Sequence, residues 1–220
     1  MKKATFLLTA LSSSLAHSAQ TLVLIETNVG DIPVALFDTE TPETVSNFLG
    51  YVERGDYEDV IFHRLISGFV LQSGGFVLQD RSHPNLLESI SIQDPIENEP
   101  AISNTRSTLA MAKLGGDPDS ATSQWFVNLA DNSANLDFQN GGFTVFGEVT
   151  DMTVVNEIAS REVFNLGSPF ETLPVMDNLT GFEIEREDLI AIHRVRVIPE
   201  PSTSLLVSLV GGCVLLSRRR

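Results

Sequence analysis

The sequence predicts a mainly β domain, a closed eight-stranded antiparallel β-barrel capped by two α-helices, and three observations lead to it. About eight short runs rich in Val, Ile, Leu, Phe and Thr are separated by Gly, Pro, Asn and Asp, the composition of strands and turns. Only two stretches carry apolar residues at helical spacing. The chain has 220 residues, 42% of them hydrophobic, enough for one sizeable core and too few for two large domains. No long-period repeat and no internal linker interrupts it.

The elements follow in order. Thr21-Leu22-Val23-Leu24-Ile25-Glu26-Thr27 reads as a strand, Asn28-Val29-Gly30-Asp31 as a turn, and Ile32 to Phe37 as the return strand of a hairpin. Thr41-Pro42-Glu43 opens a helix with an N-cap and Pro in its first turn. Val45, Phe48, Leu49 and Val52 form its apolar face, and Gly55-Asp56 ends it. Further strands are expected over Val60 to Ile66, Phe69 to Gln72, Thr108 to Ala112, Gln124 to Leu129, Thr144 to Val149 and Leu189 to Ile198. Met152 to Ala159 is a second, shorter helix. Asp80 to Asn104 and Asn165 to Gly181, rich in Pro, Gly, Ser and Asn, are expected to be long surface loops.

The two ends read as targeting segments around a body of residues 20–198. Met1-Lys2-Lys3, an apolar run from Ala4 to Leu11 and the small residues up to Ala19 have the layout of a signal peptide over residues 1–19. Cleavage after Ser18 puts Ala16 at −3, a better fit than cleavage after Ala19. At the other end, residues 199–220 begin with Pro199-Glu200-Pro201, continue with an uncharged Leu/Val-rich stretch to Ser217, and close on Arg218-Arg219-Arg220. The sixteen uncharged residues from Ser202 to Ser217 would cover about 24 Å as a helix against about 30 Å of hydrocarbon. An Arg cluster at the end holds to the cytoplasmic side and leaves the body outside.

Composition excludes several functions. The formal charge is −15, from 29 acids and 14 bases, which repels nucleic acid and anionic lipid. Cys213 is the single cysteine and lies in the tail, so the body has no disulfide and no thiolate metal site. His17, His63, His83 and His193 show no metal-ligand spacing. Ser120 and Ser123 beside Asp119 could suggest a nucleophile, but no Gly-x-Ser-x-Gly elbow accompanies them. Thirteen Phe against one Trp and two Tyr point to a Phe-rich core.

Four blocks in order carry a specific resemblance: Phe62-His63-Arg64-Leu65-Ile66-Ser67-Gly68-Phe69-Val70-Leu71-Gln72, Leu109-Ala110-Met111-Ala112, Ser120-Ala121-Thr122-Ser123-Gln124-Trp125-Phe126, and Phe143-Thr144-Val145-Phe146-Gly147-Glu148-Val149. Together they resemble the cyclophilin peptidyl-prolyl cis/trans isomerases over nearly all of Thr21 to Val197. The tail resembles the Pro-Glu-Pro C-terminal (PEP-CTERM) sorting signal of exported Gram-negative proteins, which an exosortase-type enzyme is thought to cut; a plain C-terminal anchor is the alternative. The resemblance implies proline-containing polypeptides as substrates, no metal and no cofactor, a monomer, transient membrane association through the tail, and a location in the periplasm, at the outer surface or in the extracellular matrix.

The implied site has a physical logic. Delocalisation of the nitrogen lone pair gives the peptide bond a barrier of ~18–20 kcal/mol, and X-Pro bonds exchange isomers over tens of seconds or longer. A catalyst can grip the ring in an apolar pocket and hydrogen-bond the prolyl nitrogen as the bond twists, with no covalent step. Arg64 is the implied donor, because a guanidinium is always charged and presents its N–H groups in a fixed plane; Gln72 and Phe126 complete the implied catalytic set. Phe69, Val70, Met111, Ala112, Gln124, Leu136 and Phe143 are the implied substrate-binding residues. His63 is read as structural, since isomerisation needs no proton transfer.

The chain also departs from the family. Val70 stands where Met is frequent, Phe143 where many members have His, and Asn135 where a Trp is frequent, which implies weak binding of cyclosporin. Trp125 is not that Trp. Phe69-Val70-Leu71-Gln72 recurs as Phe76-Val77-Leu78-Gln79; spacing from Arg64 assigns the site to the first copy and the second to an enlarged loop. Two functions compete: an isomerase that assists folding of exported proteins, and a non-catalytic proline-peptide binding module at the cell surface or matrix.

Overall fold

The computed structural model describes residues 20–79, 85–176 and 184–199. The expected signal peptide and the sorting tail beyond Pro199 lie outside the described residues. The strands are β1 (Leu22–Thr27), β2 (Asp31–Leu36), β3 (Val60–Ile61), β4 (Arg64–Ile66), β5 (Val70–Ser73), β6 (Phe76–Leu78), β7 (Leu87–Ser89), β8 (Thr108–Met111), β9 (Trp125–Asn128), β10 (Val145–Val149), β11 (Val163–Phe164), β12 (Leu173–Pro174) and β13 (Ala191–Ile198). Three α-helices accompany them: α1 (Pro42–Arg54), α2 (Ser133–Leu136) and α3 (Thr153–Ala159).

Eleven strands form one antiparallel sheet in the order β4-β5-β9-β8-β10-β2-β1-β13-β3-β6-β7. β3 and β4 stand eight strand spacings apart in that order, about 38 Å if the sheet were flat. Yet only Phe62 and His63 separate them along the chain, and the step from Ile61 to Arg64 spans at most about 11 Å. The sheet must therefore curl until its ends approach. Phe62 N donates to Ile190 O on one side and His63 N to Gln72 O on the other.

The expected count of eight strands changes for this reason. The run Val60 to Ile66, expected as one strand, changes partners at Phe62-His63 and divides into β3 and β4. The repeated Phe76-Val77-Leu78 is not loop: it forms β6, with Val77 opposite Val60 and Phe76 edge-on to His63 and Phe170. The stretch expected as a surface loop after it contains β7, and the later one contains β12. Four-residue α2 was too short to show a helical period in the sequence.

The interior of the curl is apolar and aromatic. Phe48 of α1 packs against Tyr57 and Phe146, with centroids 5.4 and 5.2 Å apart, and Trp125 takes Phe62 edge-on at 5.9 Å. All five rings are buried, and aromatic pairs in such arrangements add to the burial of their area. In the β1–β2 hairpin, Thr27 Oγ1 donates to Gly30 O and accepts from Val29 N and Gly30 N.

The start of α1 is completed from a distance. Thr41 makes no side-chain cap. Instead Glu99 accepts hydrogen bonds from Glu43 N, Thr44 N and Thr44 Oγ1 at 3.3, 2.9 and 2.7 Å. A carboxylate there satisfies orphan donors and complements the helix dipole, and it moors the segment that leads toward β8. Replacing Glu99 by Ala should lower unfolding free energy by about 1 kcal/mol in urea denaturation, with Glu99→Gln costing less; an unchanged midpoint in both would contradict this capping role.

Candidate active site

The site grows from one transverse row of the sheet. Arg64 on β4 faces Gln72 on β5, Gln72 faces Phe126 on β9, Phe126 faces Ala110 on β8, and Ala110 faces Val145 on β10. Directly opposed residues of antiparallel strands point to the same side, so five strands contribute one side chain each to the outer face. Val70, two residues before Gln72, shares that face, and Leu136 of α2 packs over it. Val70, Ala110, Phe126, Leu136 and Val145 form a buried apolar cluster separate from the main core, with Phe37, Phe69, Ile102, Ala112 and Phe143 packed partly against it.

The neighbouring residues turn inward. Leu71, Val127 and Leu109 oppose one another in the core, as do Ser73, Trp125 and Met111. Met111 was expected to bind substrate, but its side chain is 1% exposed and belongs to the interior. The reason is the two-residue period of β8: Ala110 faces the groove and Met111 faces the core. Phe69 precedes β5, in a turn closed by Phe69 N to Ile66 O, so it reaches the groove without sharing the strand's alternation.

At the polar end of the row, Arg64 Nη1 donates to Gln72 Oε1 at 3.2 Å, and Gln72 Nε2 donates to Gln124 Oε1 at 2.8 Å. The relay orients both amides and leaves Arg64 further donors, since a guanidinium carries five. Gly74 and Gly75 make room for it. A Cβ on Gly75 would stand 2.8 Å from Gln124 Cδ, and one on Gly74 (φ +83°) would stand 2.4 Å from Ser123 O. Half-burial lowers the pKa of Arg64 and the charge of Glu171 acts against it, but a guanidinium remains protonated.

Buried asparagines hold the apolar end. Asn104 donates to Asp137 Oδ1 and Phe143 O, Asn128 donates to Asn104 Oδ1 and Thr108 Oγ1, and Asn132 donates to Asn128 Oδ1 and Phe69 O. Phe143 N also donates to Leu136 O. Phe69, Leu136 and Phe143, which come from two loops and the short helix α2, are thereby tied to one network. Its visible trace in the sequence is Asn128, an amide in an otherwise apolar strand. Lys113, next to Ala112, also escaped sequence reasoning: its Nζ donates to Gly142 O and lies 5.0 Å from the Phe143 ring centroid.

Beside the groove opens a cavity of about 380 Å³ that shares Gln72, Ala112 and Gln124 with it and is bounded by Ile90, Ile92 and Leu114. Ser120 Oγ donates to Asp117 O and accepts from Leu114 N, which makes it a brace of this loop. Taken together, the surface can seat a small apolar ring on Phe126, Val70 and Leu136 while amide and guanidinium donors address the attached backbone.

His63 sits behind the row, 3% exposed, with its ring edge-on to Phe76 at 4.9 Å. Burial first, and the positive charge of Arg64 second, push its pKa down to about 4. The neutral ring is thus the folded form at physiological pH, and a proton-shuttling role is disfavoured. With a depressed folded pKa, the unfolded chain binds the proton first, so His63's contribution to stability is complete above about pH 6.5 and is lost as pH falls toward 4. The unfolding free-energy difference between the native protein and His63→Gln should shrink through that window, by on the order of 3 kcal/mol in full. A difference that stays constant from pH 8 to pH 4 would contradict this.

The family description "Cyclophilin type peptidyl-prolyl cis-trans isomerase/CLD" matches residues 22–178. Peptidyl-prolyl cis-trans isomerase B of Escherichia coli (strain K12) is 43% identical over 144 residues, covering 62% of this chain and 83% of the relative. Peptidyl-prolyl cis-trans isomerase A of Dickeya dadantii (strain 3937) is 39% identical over 172 residues, covering 76% and 85%. Among solved structures, a cyclophilin type peptidyl-prolyl cis-trans isomerase of Cryptosporidium parvum superposes with a TM-score of 0.60 at 23% identity, covering 83% of this chain and 100% of that one. Its structure in the presence of the dipeptide Ala-Pro gives a TM-score of 0.59 at 24% identity, covering 81% and 99%, and both likenesses concern the fold. With groove, fold and sequence in agreement, the chain belongs to the cyclophilin-type peptidyl-prolyl cis-trans isomerases.

Proposed function

We propose that the protein accelerates cis/trans isomerisation of X-Pro bonds in exported polypeptides and so assists their folding. The observation that carries the reading is the Arg64–Gln72–Gln124 relay beside the pocket of Val70, Phe126 and Leu136. In this reading the proline ring enters the pocket, with Phe69 and Phe143 at its sides and Ala112 toward the cavity. Gln124 and Gln72 hold the substrate backbone and aim the guanidinium. As the bond twists, the nitrogen becomes pyramidal and its lone pair localises. Arg64 donates to that lone pair, an interaction absent from the planar ground state, and stabilisation confined to the twisted state lowers the barrier. Phe126 presents an apolar surface that excludes water from the rotating bond. The Ala-Pro dipeptide used with the Cryptosporidium parvum protein has the chemistry this groove would take.

The body of residues 20–198 would act after export under the leader of residues 1–19, as a monomer in the periplasm, at the outer surface or in the matrix of a Gram-negative bacterium. The Pro-Glu-Pro tail would hold it at the membrane until an exosortase-type enzyme cuts near Pro201. Two measurements test these parts separately. In a protease-coupled prolyl-peptide assay, Arg64→Ala should lower kcat/KM by about 10²–10³ with an unchanged circular dichroism spectrum; equal rates for both proteins, at the uncatalysed level, would leave only the binding-module reading. Intact mass of the protein isolated from its native host should show loss of the segment after Pro201, whereas a full-length, membrane-extracted chain would identify a permanent anchor.

A further inference from the structure

We propose that Lys113 is a positioning residue whose ammonium clamps Phe143 against Phe126 and thereby sets the far wall of the proline pocket. The inference rests on the isomerase reading for its consequence and on three contacts for its geometry. Lys113 Nζ lies 5.0 Å from the centroid of the Phe143 ring. The same ammonium donates to Gly142 O, the carbonyl immediately before Phe143. The Phe143 ring in turn meets Phe126 edge-on, with centroids 5.9 Å apart and planes at 69°.

The local backbone is shaped for this contact. Asn140, Gly141 and Gly142 all have positive φ, at 52°, 78° and 81°, and they bring the chain back so that Phe143 N donates to Leu136 O. A Cβ on Gly142 would come 2.9 Å from Asp137 O and from Pro100 Cβ, so only glycine lets the Gly142 carbonyl occupy this place. These bonds fix the Phe143 backbone. Its ring is half-buried, and the cation on one side with Phe126 on another sets its orientation. Burial lowers the pKa of Lys113, opposed by Asp119 and Asp117, consistent with an ammonium that has given up part of its water to lie on a ring face, the condition under which a cation–π contact is strongest.

The Phe143 ring is a hydrocarbon and has no polar handle of its own. Lys113 supplies one from the neighbouring strand end. Because the wall touches the ring in both the planar and the twisted state, losing its placement should weaken binding and leave the chemical step intact.

The experiment uses residues 1–220 as expressed and measures kcat and KM on an Ala-Pro peptide, with the NMR signals of the Phe143 ring as a readout independent of turnover. Lys113→Met should raise KM about fivefold with kcat within twofold, shift the Phe143 ring signals, and leave the thermal midpoint near that of the native protein. Lys113→Arg should restore both KM and the ring signals. Phe143→Leu should raise KM similarly, and adding Lys113→Met to it should have no further effect. An unchanged KM and unchanged ring signals in Lys113→Met, failure of Arg to rescue, or multiplicative effects of the two substitutions would each overturn the clamp. A native protein that binds the peptide without isomerising it would instead refute the isomerase reading, and the ring signals would still decide the clamp.

Discussion

Two residues constrain the whole molecule. Phe62 and His63 join β3 to β4, strands at widely separated places in the sheet, and a link that short forces the sheet to curl. The curl creates an interior that Phe48, Phe146 and Trp125 fill, and an outer face on which Arg64 begins a new ladder beside Gln72. Were β3 and β4 continuous with one partner, Arg64 would not stand at the head of the row that runs to Val145. The same link carries the groove's charge on one side and its buried neutral support, His63, on the other.

Within the groove, opposite demands are met by adjacent strands. An apolar pocket is needed to hold a ring, and a charged donor is needed to address the nitrogen attached to it. Arg64 keeps its charge because a guanidinium stays protonated even where half-burial lowers its pKa, and the charge of Glu171 opposes part of that lowering. Gln72 holds it toward the pocket, and Gln124 holds Gln72. At the far end, Asn104, Asn128 and Asn132 join loops that share no strand pairing. The buried amides bond chiefly to one another and to backbone carbonyls, which keeps their polarity compatible with the apolar cluster above them. The proposed clamp at Lys113 extends this principle to a ring with no hydrogen-bonding group.

Much of this was legible in the sequence, and the failures have physical causes. All eight expected strands correspond to strands or strand pairs of the structure, because hydrophobic alternation and turn residues report local geometry directly. The resemblance of four ordered blocks led to Arg64, Gln72 and Phe126, which cross-strand pairing brings together, and to Gln124, which the hydrogen bond from Gln72 adds to them. Met111 failed because a motif gives neighbourhood and not face: adjacent residues of β8 serve opposite sides. Phe76-Val77-Leu78 failed because a repeated tetrapeptide looks like an insertion, whereas its partner, β3, is defined only by the break at Phe62-His63. Glu99, Lys113, Asn104 and Asn132 were invisible because each bonds to a group 24 to 63 residues away, in places set by loop shape. No local pattern records such pairs.

The central claim is that the Arg64 guanidinium, aimed by Gln72, acts on the bond as it twists and contributes little to holding the planar substrate. Two-dimensional exchange NMR on a bound prolyl peptide measures both quantities in one experiment, and Arg64→Lys keeps the charge while removing the planar fork. The account predicts that peptide affinity changes less than threefold while the on-enzyme interconversion rate falls by about 10²-fold. An Arg64→Lys protein that interconverts its bound peptide at the native rate would contradict it.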